Sequence, residues 1–497
     1  MTCPVREAPT GCATSPAISR SRCCERRPHE PAGVPGARVP DDRLDRRLLG
    51  EPGEPSRRRS GGAGFRARAA PQDPPESGEP FERLLQDMED VVAPALLHWQ
   101  HPRFFGYFPA NASGPAVLGD LLASGLGVQG MNWNTSPACT EVEQQMLEWT
   151  RRALGLPERF RDGGVIQDTA SSAVLVAVLA ALQRATEGRS RETGTGGRRY
   201  AVYLTSETHS AATKAAVIAG LGLGSVRTVA TGSDGSMLPE ELRARIEADR
   251  GDGVTPLMVV ATRGTTSALA FDPLEEVGAV CRSHGVWLHV DAAYAGVAAV
   301  CEELRWVNDG VGYADSYCTN PHKWLLTNFD CDLFWVADRE ALTGALSVLP
   351  EYLRNSASDS GRVTDFRHWQ IPLGRRFRAL KLWSVLRWYG VAGLRDHVRV
   401  GVEHARLFAD LVRADDRFEL TRDPCLGLVC FRLTADGGTS EAQHRLMETV
   451  NAEGTTFLTH SEADGRVFLR FATGGTFTRD HHVVEAWKAL QGAVTEG

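Results

Sequence analysis

Trp287-Leu288-His289-Val290-Asp291, followed further along by Asn320-Pro321-His322-Lys323-Trp324, decides how this chain of 497 residues is read. The first stretch is an apolar run that ends in an aspartate. This places a carboxylate at the C-terminal end of a buried strand, where open α/β sheets hold their ligands. The second stretch carries a lysine, in a chain that uses arginine for almost every positive charge and has only four lysines: Lys214, Lys323, Lys381 and Lys488. A guanidinium stays protonated, whereas a buried lysine amine shifts its pKa readily and can attack a carbonyl. Lysine and aspartate together suggest pyridoxal phosphate, which needs a lysine Schiff base and a carboxylate for its ring nitrogen.

Composition sets the frame for that reading. With 42% hydrophobic and 24% charged residues the chain is an ordinary globular sequence, long enough for two or three domains. Its longest apolar stretches, such as Ala173 to Leu182, fall short of the roughly 18 to 20 residues that span a bilayer. The N-terminus lacks the charged-then-apolar pattern of a secretory signal, and a cytoplasmic protein is expected. A formal charge of −7 gives no sign of a nucleic-acid partner. Cys139, Cys281, Cys301, Cys318, Cys331, Cys425 and Cys430 are scattered through apolar patterns without paired ligand spacing, so they read as reduced core residues and no metal site is expected.

Residues 1–78 are rich in Arg, Pro and Gly, with 14 Arg against 10 Asp plus Glu, and read as a disordered tail. Order is expected to begin near Pro80, where Phe81, Leu84, Leu85, Met88, Val91 and Val92 recur at helical spacing. Segment 79–112 leads into a large domain over 113–394, with a smaller α+β domain over 395–497. The large domain alternates predicted helices (Glu141 to Leu154, Ser172 to Thr186, His209 to Ala219) with predicted strands (Tyr200 to Thr205, Pro256 to Ala261, Trp287 to Asp291, Leu333 to Val336). Near-continuous apolar strands such as Leu257 to Ala261 suit a parallel sheet covered on both faces. Leu428 to Leu433 and Val467 to Phe471 read as strands of the smaller domain.

Two further features carry chemistry. Gly163-Gly164-Val165-Ile166-Gln167-Asp168-Thr169-Ala170-Ser171-Ser172 runs into an apolar helix, and its small hydroxyl residues can either cap that helix or leave its N–H groups open to a phosphate. His209, in Glu207-Thr208-His209-Ser210, offers a flat ring that could stack on a cofactor or merely cap a helix. His322 has the same two readings.

Several longer strings fall together. His101-Pro102-Arg103-Phe104-Phe105-Gly106-Tyr107-Phe108-Pro109, Ser136-Pro137-Ala138-Cys139-Thr140-Glu141, His289-Val290-Asp291-Ala292-Ala293-Tyr294-Ala295-Gly296, Asn320-Pro321-His322-Lys323-Trp324-Leu325-Leu326 and His368-Trp369-Gln370-Ile371-Pro372-Leu373-Gly374-Arg375-Arg376 occur in that order. From about Pro80 onward the chain resembles the group II pyridoxal-phosphate decarboxylases, and among them the aromatic-L-amino-acid decarboxylases. The resemblance implies the aspartate-aminotransferase-type α/β fold (fold type I) and a homodimer with shared active sites. It implies that Lys323 forms the Schiff base, Asp291 pairs with the ring nitrogen, His209 stacks on the ring and Ala293 packs on its other face. Thr169, Ala170, Ser171 and Asn320 would contact the phosphate, with Thr266 nearby and His322 beside the lysine.

The same resemblance places Trp99, Tyr107, Phe108 and Pro109 along an aromatic substrate pocket, with Gln129 and Met131 reaching it across the dimer and Gly374 leaving room for a bulky ring. Tyr352 would lie on a closing loop and return a proton to the α-carbon after carbon dioxide leaves. A phenylalanine at that position characterises aldehyde synthases, so Tyr352 favours plain decarboxylation of an aromatic L-amino acid to an arylalkylamine. The alternatives are an aromatic aldehyde synthase, a decarboxylase of a non-aromatic amino acid, or an inactive homologue that acts as a binding protein. Ala110 stands where a hydroxyl residue is associated with catechol substrates, and residues 1–78 contain no evident counterpart of the family's partner-clasping N-terminal helices.

Overall fold

Leu257-Met258-Val259-Val260-Ala261 has no polar face to turn toward water, and it forms the buried centre of strand β4 (Thr255–Thr262). The computed structural model describes residues 73–348 and 363–495. Around β4 stand β1 (Gly164–Gln167), β2 (Tyr200–Leu204), β3 (Val226–Thr228), β5 (Trp287–Asp291), β6 (Ser316–Thr319) and β7 (Asp332–Val336). They form a seven-stranded sheet in the order β1-β7-β6-β5-β4-β2-β3. Strands β2 to β6 run parallel to one another, and β7 runs antiparallel to both β6 and β1. The mainly parallel sheet and a smaller antiparallel one match the large domain and the smaller α+β domain expected of fold type I.

The predicted strand at Trp287 to Asp291 has the observed bounds of β5, and β2, β4 and β7 differ from expectation by a residue or so at their ends. Strand β6 was not expected. Its sequence, Ser316-Tyr317-Cys318-Thr319, is half polar yet wholly buried, because tertiary partners satisfy the hydroxyls. Trp287 Nε1 donates to Ser316 Oγ at 2.8 Å, and Thr319 Oγ1 donates to the Ala292 carbonyl at 2.9 Å. Strand β1 lies inside the string read as a phosphate loop; its four residues are buried, and the loop proper is confined to the residues after Gln167.

Helix α1 (Phe81–Asp87) begins where the apolar spacing predicts it. Helices α2 (Gly114–Leu126), α3 (Pro137–Ala153) and α4 (Ala170–Thr186) come next along the chain. Helix α3 starts earlier than its apolar period indicates, because Pro137 pre-sets the first turn and Ser136 Oγ accepts the Cys139 N–H. Helix α4 buries Val174, Val176, Ala177 and Val178 and packs on the sheet.

The C-terminal sheet joins β8 (Phe418–Leu420), β9 (Leu428–Leu433), β10 (Thr459–Ala463) and β11 (Arg466–Ala472) in the antiparallel order β10-β11-β9-β8. Its separate core centres on Phe408, whose ring stacks on Phe471 with centroids 3.7 Å apart. The boundary expected near residue 395 falls within helix α5 (Arg378–Arg413), which is broken at Gly390 with φ of 64° and serves both cores. Segment 101–109 belongs to the small sheet as much as to the large domain. Phe105 donates its N–H to Phe457, Ala472 donates to the Phe105 carbonyl, both at 2.9 Å, and the Phe105 ring stacks on Phe471.

The reading of residues 1–78 as a tail lies almost wholly outside the described residues. Among the described residues no helix is long and apolar enough to cross a membrane. The seven cysteines from Cys139 to Cys430 are free, and all but Cys425 are buried.

Candidate active site

Lys323 lies in a single helical turn, Pro321–Trp324, that comes directly after β6. The turn is fixed from a distant part of the chain. Asn111 donates its N–H to the His322 carbonyl and accepts the Leu326 N–H at Oδ1, both at 2.9 Å, while its Nδ2 donates to Gly474. This docking carries Phe108 to the lysine, and Lys323 Nζ stands 5.7 Å from the centre of the Phe108 ring. Phe108 stacks on Tyr294 at 3.9 Å, and Tyr294 stacks on Trp324 at 5.0 Å, so an aromatic column walls one side of the amine. Burial disfavours the ammonium and lowers the Lys323 pKa, a shift that Asp291, Cys318 and Asp332 partly offset.

Asp291 closes β5, in register with Thr262 on β4 and Cys318 on β6. Its Oδ1 accepts the Ala293 N–H at 3.0 Å, and the Ala293 carbonyl accepts the Asn320 N–H at 3.0 Å. Asp291, Ala293, Asn320 and Lys323 are thereby linked through one short stretch of backbone. Asn320 is 3% exposed, and its Oδ1 has no partner. Because the two ends of an amide can exchange by rotation, that buried position can equally present a donor to a phosphate.

The start of helix α4 is also open to an anion. Thr169 does not cap it; its N–H and Oγ1 both turn back to Asp168 Oδ1, at 2.6 and 3.3 Å. The first-turn N–H groups of Ala170 and Ser171 therefore face outward with the helix dipole behind them. The donor set fits a phosphate, and the lysine and carboxylate fit the rest of the cofactor.

His209 precedes helix Ala211–Ile218; its Nδ1 accepts the Ala211 N–H at 3.2 Å, as in the capping reading, and the ring remains exposed. Thr266 is exposed in the loop after β4. His322 is 5% exposed and engages the Cys331 backbone through Nδ1, so the structure uses it to hold the lysine turn. Trp99 and Tyr107 stack at 5.3 Å and are half-exposed, and Pro109 is buried next to Phe108.

Tyr107 has φ of 51°, an uncommon value for a residue with a side chain. It is pinned from both sides, its N–H by Thr459 Oγ1 at 3.0 Å and its carbonyl by Arg470 Nη2 at 3.1 Å. Arg470 was not singled out from the sequence, although an arginine inside the apolar strand Val467 to Phe471 is a visible signal. Its other nitrogens bond Ser267 and Thr459, and its guanidinium lies 5.2 Å from the Phe108 ring.

Gln129 and Gly374 are brought together in the wall of one cavity, whose lining does not include Lys323. The cavity has a volume of about 540 Å³ and is also lined by Gln167, Asp168, Ser172 and Arg378. Met131 is tied by its carbonyl to the Arg367 N–H. Tyr352 and the loop Asn355 to Gly361 lie outside the described residues.

Gly474 approaches the lysine turn closely. It has φ of 101°, and a Cβ there would sit 2.3 Å from Trp324 Nε1. Gly474→Ala is expected to lower stability by about 2–4 kcal/mol through overpacking and backbone strain and to weaken cofactor retention; urea midpoints and dialysis measure both. Acid should act through two imidazoles. Burial holds His289 and His322 at about 4, below their ordinary 6.5. Their contribution is full above pH 6.5 and is lost as pH falls toward 4, by about 1.4 kcal/mol per pH unit for each ring. Urea titrations at pH 7 and 4.5 should show this loss, with a smaller loss in His289→Asn; an equal loss in that variant would refute the assignment.

The fold, with a lysine and an aspartate at the C-terminal ends of a mainly parallel sheet and an open helix N-terminus beside them, defines a fold type I pyridoxal-phosphate enzyme. A family model described as the pyridoxal-dependent decarboxylase conserved domain matches residues 65–434. The aromatic-L-amino-acid decarboxylase of Bos taurus is 44% identical over 441 residues, covering 86% of this chain and 89% of the relative. The phenylacetaldehyde synthase of Arabidopsis thaliana is 42% identical over 439 residues, with 86% and 89% covered. Among solved structures, Oryza sativa TDC with PLP and tryptamine superposes with a TM-score of 0.84 at 42% identity, covering 88% of this chain and 92% of that one. The chain belongs to the pyridoxal-dependent decarboxylase family.

Proposed function

We propose that this protein decarboxylates an aromatic L-amino acid to the corresponding arylalkylamine and carbon dioxide. The observation that carries the aromatic assignment is the Phe108–Tyr294–Trp324 column standing against Lys323 Nζ. Such a wall favours a planar ring. A side-chain carboxylate would need a cation of its own, and Arg470, whose guanidinium lies beside the Phe108 ring, has each of its nitrogens engaged with Ser267, Thr459 or Tyr107.

In this reading Lys323 bonds the cofactor and Asp291 holds its ring nitrogen protonated. Thr169, Ala170, Ser171 and Asn320 hold its phosphate near Thr266 and His322, and His209 and Ala293 flank its ring. Bound pyridoxal phosphate supplies an electron sink for the carbanion that departing carbon dioxide leaves behind. Trp99, Tyr107, Phe108 and Pro109 orient the substrate ring, and Tyr352 returns a proton to the α-carbon.

The working unit in this reading is a homodimer in the cytoplasm. Leu121, Leu122 and Leu126 of α2 are each about 60% exposed, as expected of a face that a second copy covers. In this reading Gln129 and Met131 reach the substrate pocket across the dimer, and Gly374 leaves room for the substrate ring.

The identity to phenylacetaldehyde synthase favours aldehyde formation as the second reading. Incubating the protein and pyridoxal phosphate with tryptophan, phenylalanine, tyrosine, dopa and glutamate, with products identified by mass spectrometry, separates the two. An arylalkylamine with carbon dioxide is expected. Aryl acetaldehyde with ammonia would replace the proposal by the second reading, and turnover of glutamate alone would overturn the aromatic assignment.

A further inference from the structure

Arg470 stands in strand β11 between Leu469 and Phe471, both wholly buried, and is itself 3% exposed. The ionisable groups acting on it are Cys430 and Tyr294, so among the described residues no carboxylate neutralises its charge. Burying a cation without a counter-ion costs stability, and an apolar side chain would fill the space without that cost. What the guanidinium provides is reach in three directions. Nε donates to the Ser267 carbonyl at 3.0 Å, Nη1 to Thr459 Oγ1 at 3.1 Å and Nη2 to the Tyr107 carbonyl at 3.1 Å. These acceptors belong to the loop after β4, to strand β10 and to segment 101–109. The Phe108 ring lies 5.2 Å from the guanidinium and 5.7 Å from Lys323 Nζ, so one ring adjoins both this clamp and the amine.

The three attachments are not equivalent. The loop after β4 has other tethers, since Arg422 donates to the Ala268 carbonyl and Ser267 Oγ donates to Glu207 Oε2. Among the described residues the Tyr107 carbonyl accepts from Arg470 alone. Tyr107 is also the strained member, with φ of 51°, a conformation that persists only where the surroundings hold it. So held, its ring stacks on Trp99 with centroids 5.3 Å apart and leans on Phe457 at 6.2 Å. Loss of the carbonyl tether lets the backbone relax toward negative φ, which turns the Tyr107 ring away from Trp99 and re-aims Phe108, the next residue.

We propose that Arg470 is a positioning residue for the substrate ring: it holds the Tyr107 backbone so that Trp99, Tyr107 and Phe108 present one fixed aromatic wall, and it thereby sets which aromatic amino acids the site prefers. It acts through Tyr107, not by contact with the substrate.

The proposal rests on the reading of the site as one for aromatic amino acids, and the test separates the two. Wild-type, Arg470→Met, Tyr107→Ala and doubly substituted holoenzymes are compared on tryptophan, phenylalanine, tyrosine and dopa. Steady-state kinetics give kcat and KM for each, visible absorbance after dialysis gives bonded cofactor, and thermal unfolding gives stability. In Arg470→Met the KM for the preferred substrate should rise by roughly tenfold or more, and the kcat/KM ratio between the best and poorest substrates should shrink with it. Bonded cofactor and melting temperature should stay near the wild-type values, because Arg422 still holds the loop after β4 and the substitution removes an unpaired buried charge. Once Tyr107→Ala is present, adding Arg470→Met should change neither KM nor the ratio further, since the two residues act as one unit. Arg470→Lys keeps the cation but cannot span three acceptors, so it should lose the same selectivity, and it decides the matter if Arg470→Met fails to fold. Wild-type KM and ratio in either Arg470 variant, or an undiminished effect of Arg470→Met on top of Tyr107→Ala, would overturn the role of Arg470 and leave the aromatic assignment intact. Turnover of none of the four substrates by the wild type would overturn that assignment and the proposal with it.

Discussion

Lys323→Ala protein mixed with pyridoxal phosphate is expected to show no borohydride-resistant cofactor and no wild-type visible band, and its turnover should fall by roughly 10⁴-fold or more, the scale seen when a covalent nucleophile is removed. The reason is local. Lys323 Nζ is the one lysine amine that the fold brings to both the end of β5 and the Phe108 ring, and the remaining lysines cannot substitute for it. Lys381 is sealed at 0% exposure near Asp120 and Asp330, while Lys214 and Lys488 belong to other helices. Lys323→Arg should fail equally, since a guanidinium does not deprotonate. Absorbance spectra and fixed-cofactor mass measure the outcome. A wild-type spectrum in Lys323→Ala would mean that another group bonds the cofactor.

Asp291→Asn should give the second-largest loss. A carboxylate paired with a cation in a partly buried site contributes about 3–5 kcal/mol when its partner would otherwise be left unpaired, which corresponds to roughly 10²–10⁴ in rate. Asparagine preserves shape and can still accept the Ala293 N–H that Asp291 Oδ1 accepts now, so the backbone that links Ala293, Asn320 and Lys323 should survive. The variant is therefore expected to bond cofactor at Lys323 yet turn over slowly, with melting temperature little changed. Single-turnover kinetics with the preferred substrate would show whether the loss lies in chemistry rather than binding. A rate within tenfold of wild type would remove Asp291 from the proposed role.

Much of the fold was legible because it rests on local patterns. The run from Trp287 to Asp291 reads as a buried strand and the apolar period after Ser172 as a packed helix, and both form with closely matching bounds. Strand β6 was hidden because Ser316 and Thr319 look solvent-directed until Trp287 and Ala292 are seen to satisfy them. The start of α3 was misplaced because capping by Ser136, not apolar spacing, sets it. Helix α5 crosses the expected domain boundary because its two ends serve different cores, which no local period records.

At the site, Lys323, Asp291 and the helix opening at Thr169 stood out by residue type and position, since each is suited to chemistry that few side chains can perform. What depended on tertiary structure was their surroundings: the docking of Asn111 on the lysine turn, the Phe108–Tyr294–Trp324 column, and the pinning of Tyr107 by the buried Arg470. Alone, the amino-acid sequence determined which groups could react, because reactivity belongs to the side chain. Only the tertiary structure decided which stand together and without water, because proximity and desolvation arise from contacts between residues far apart in the chain.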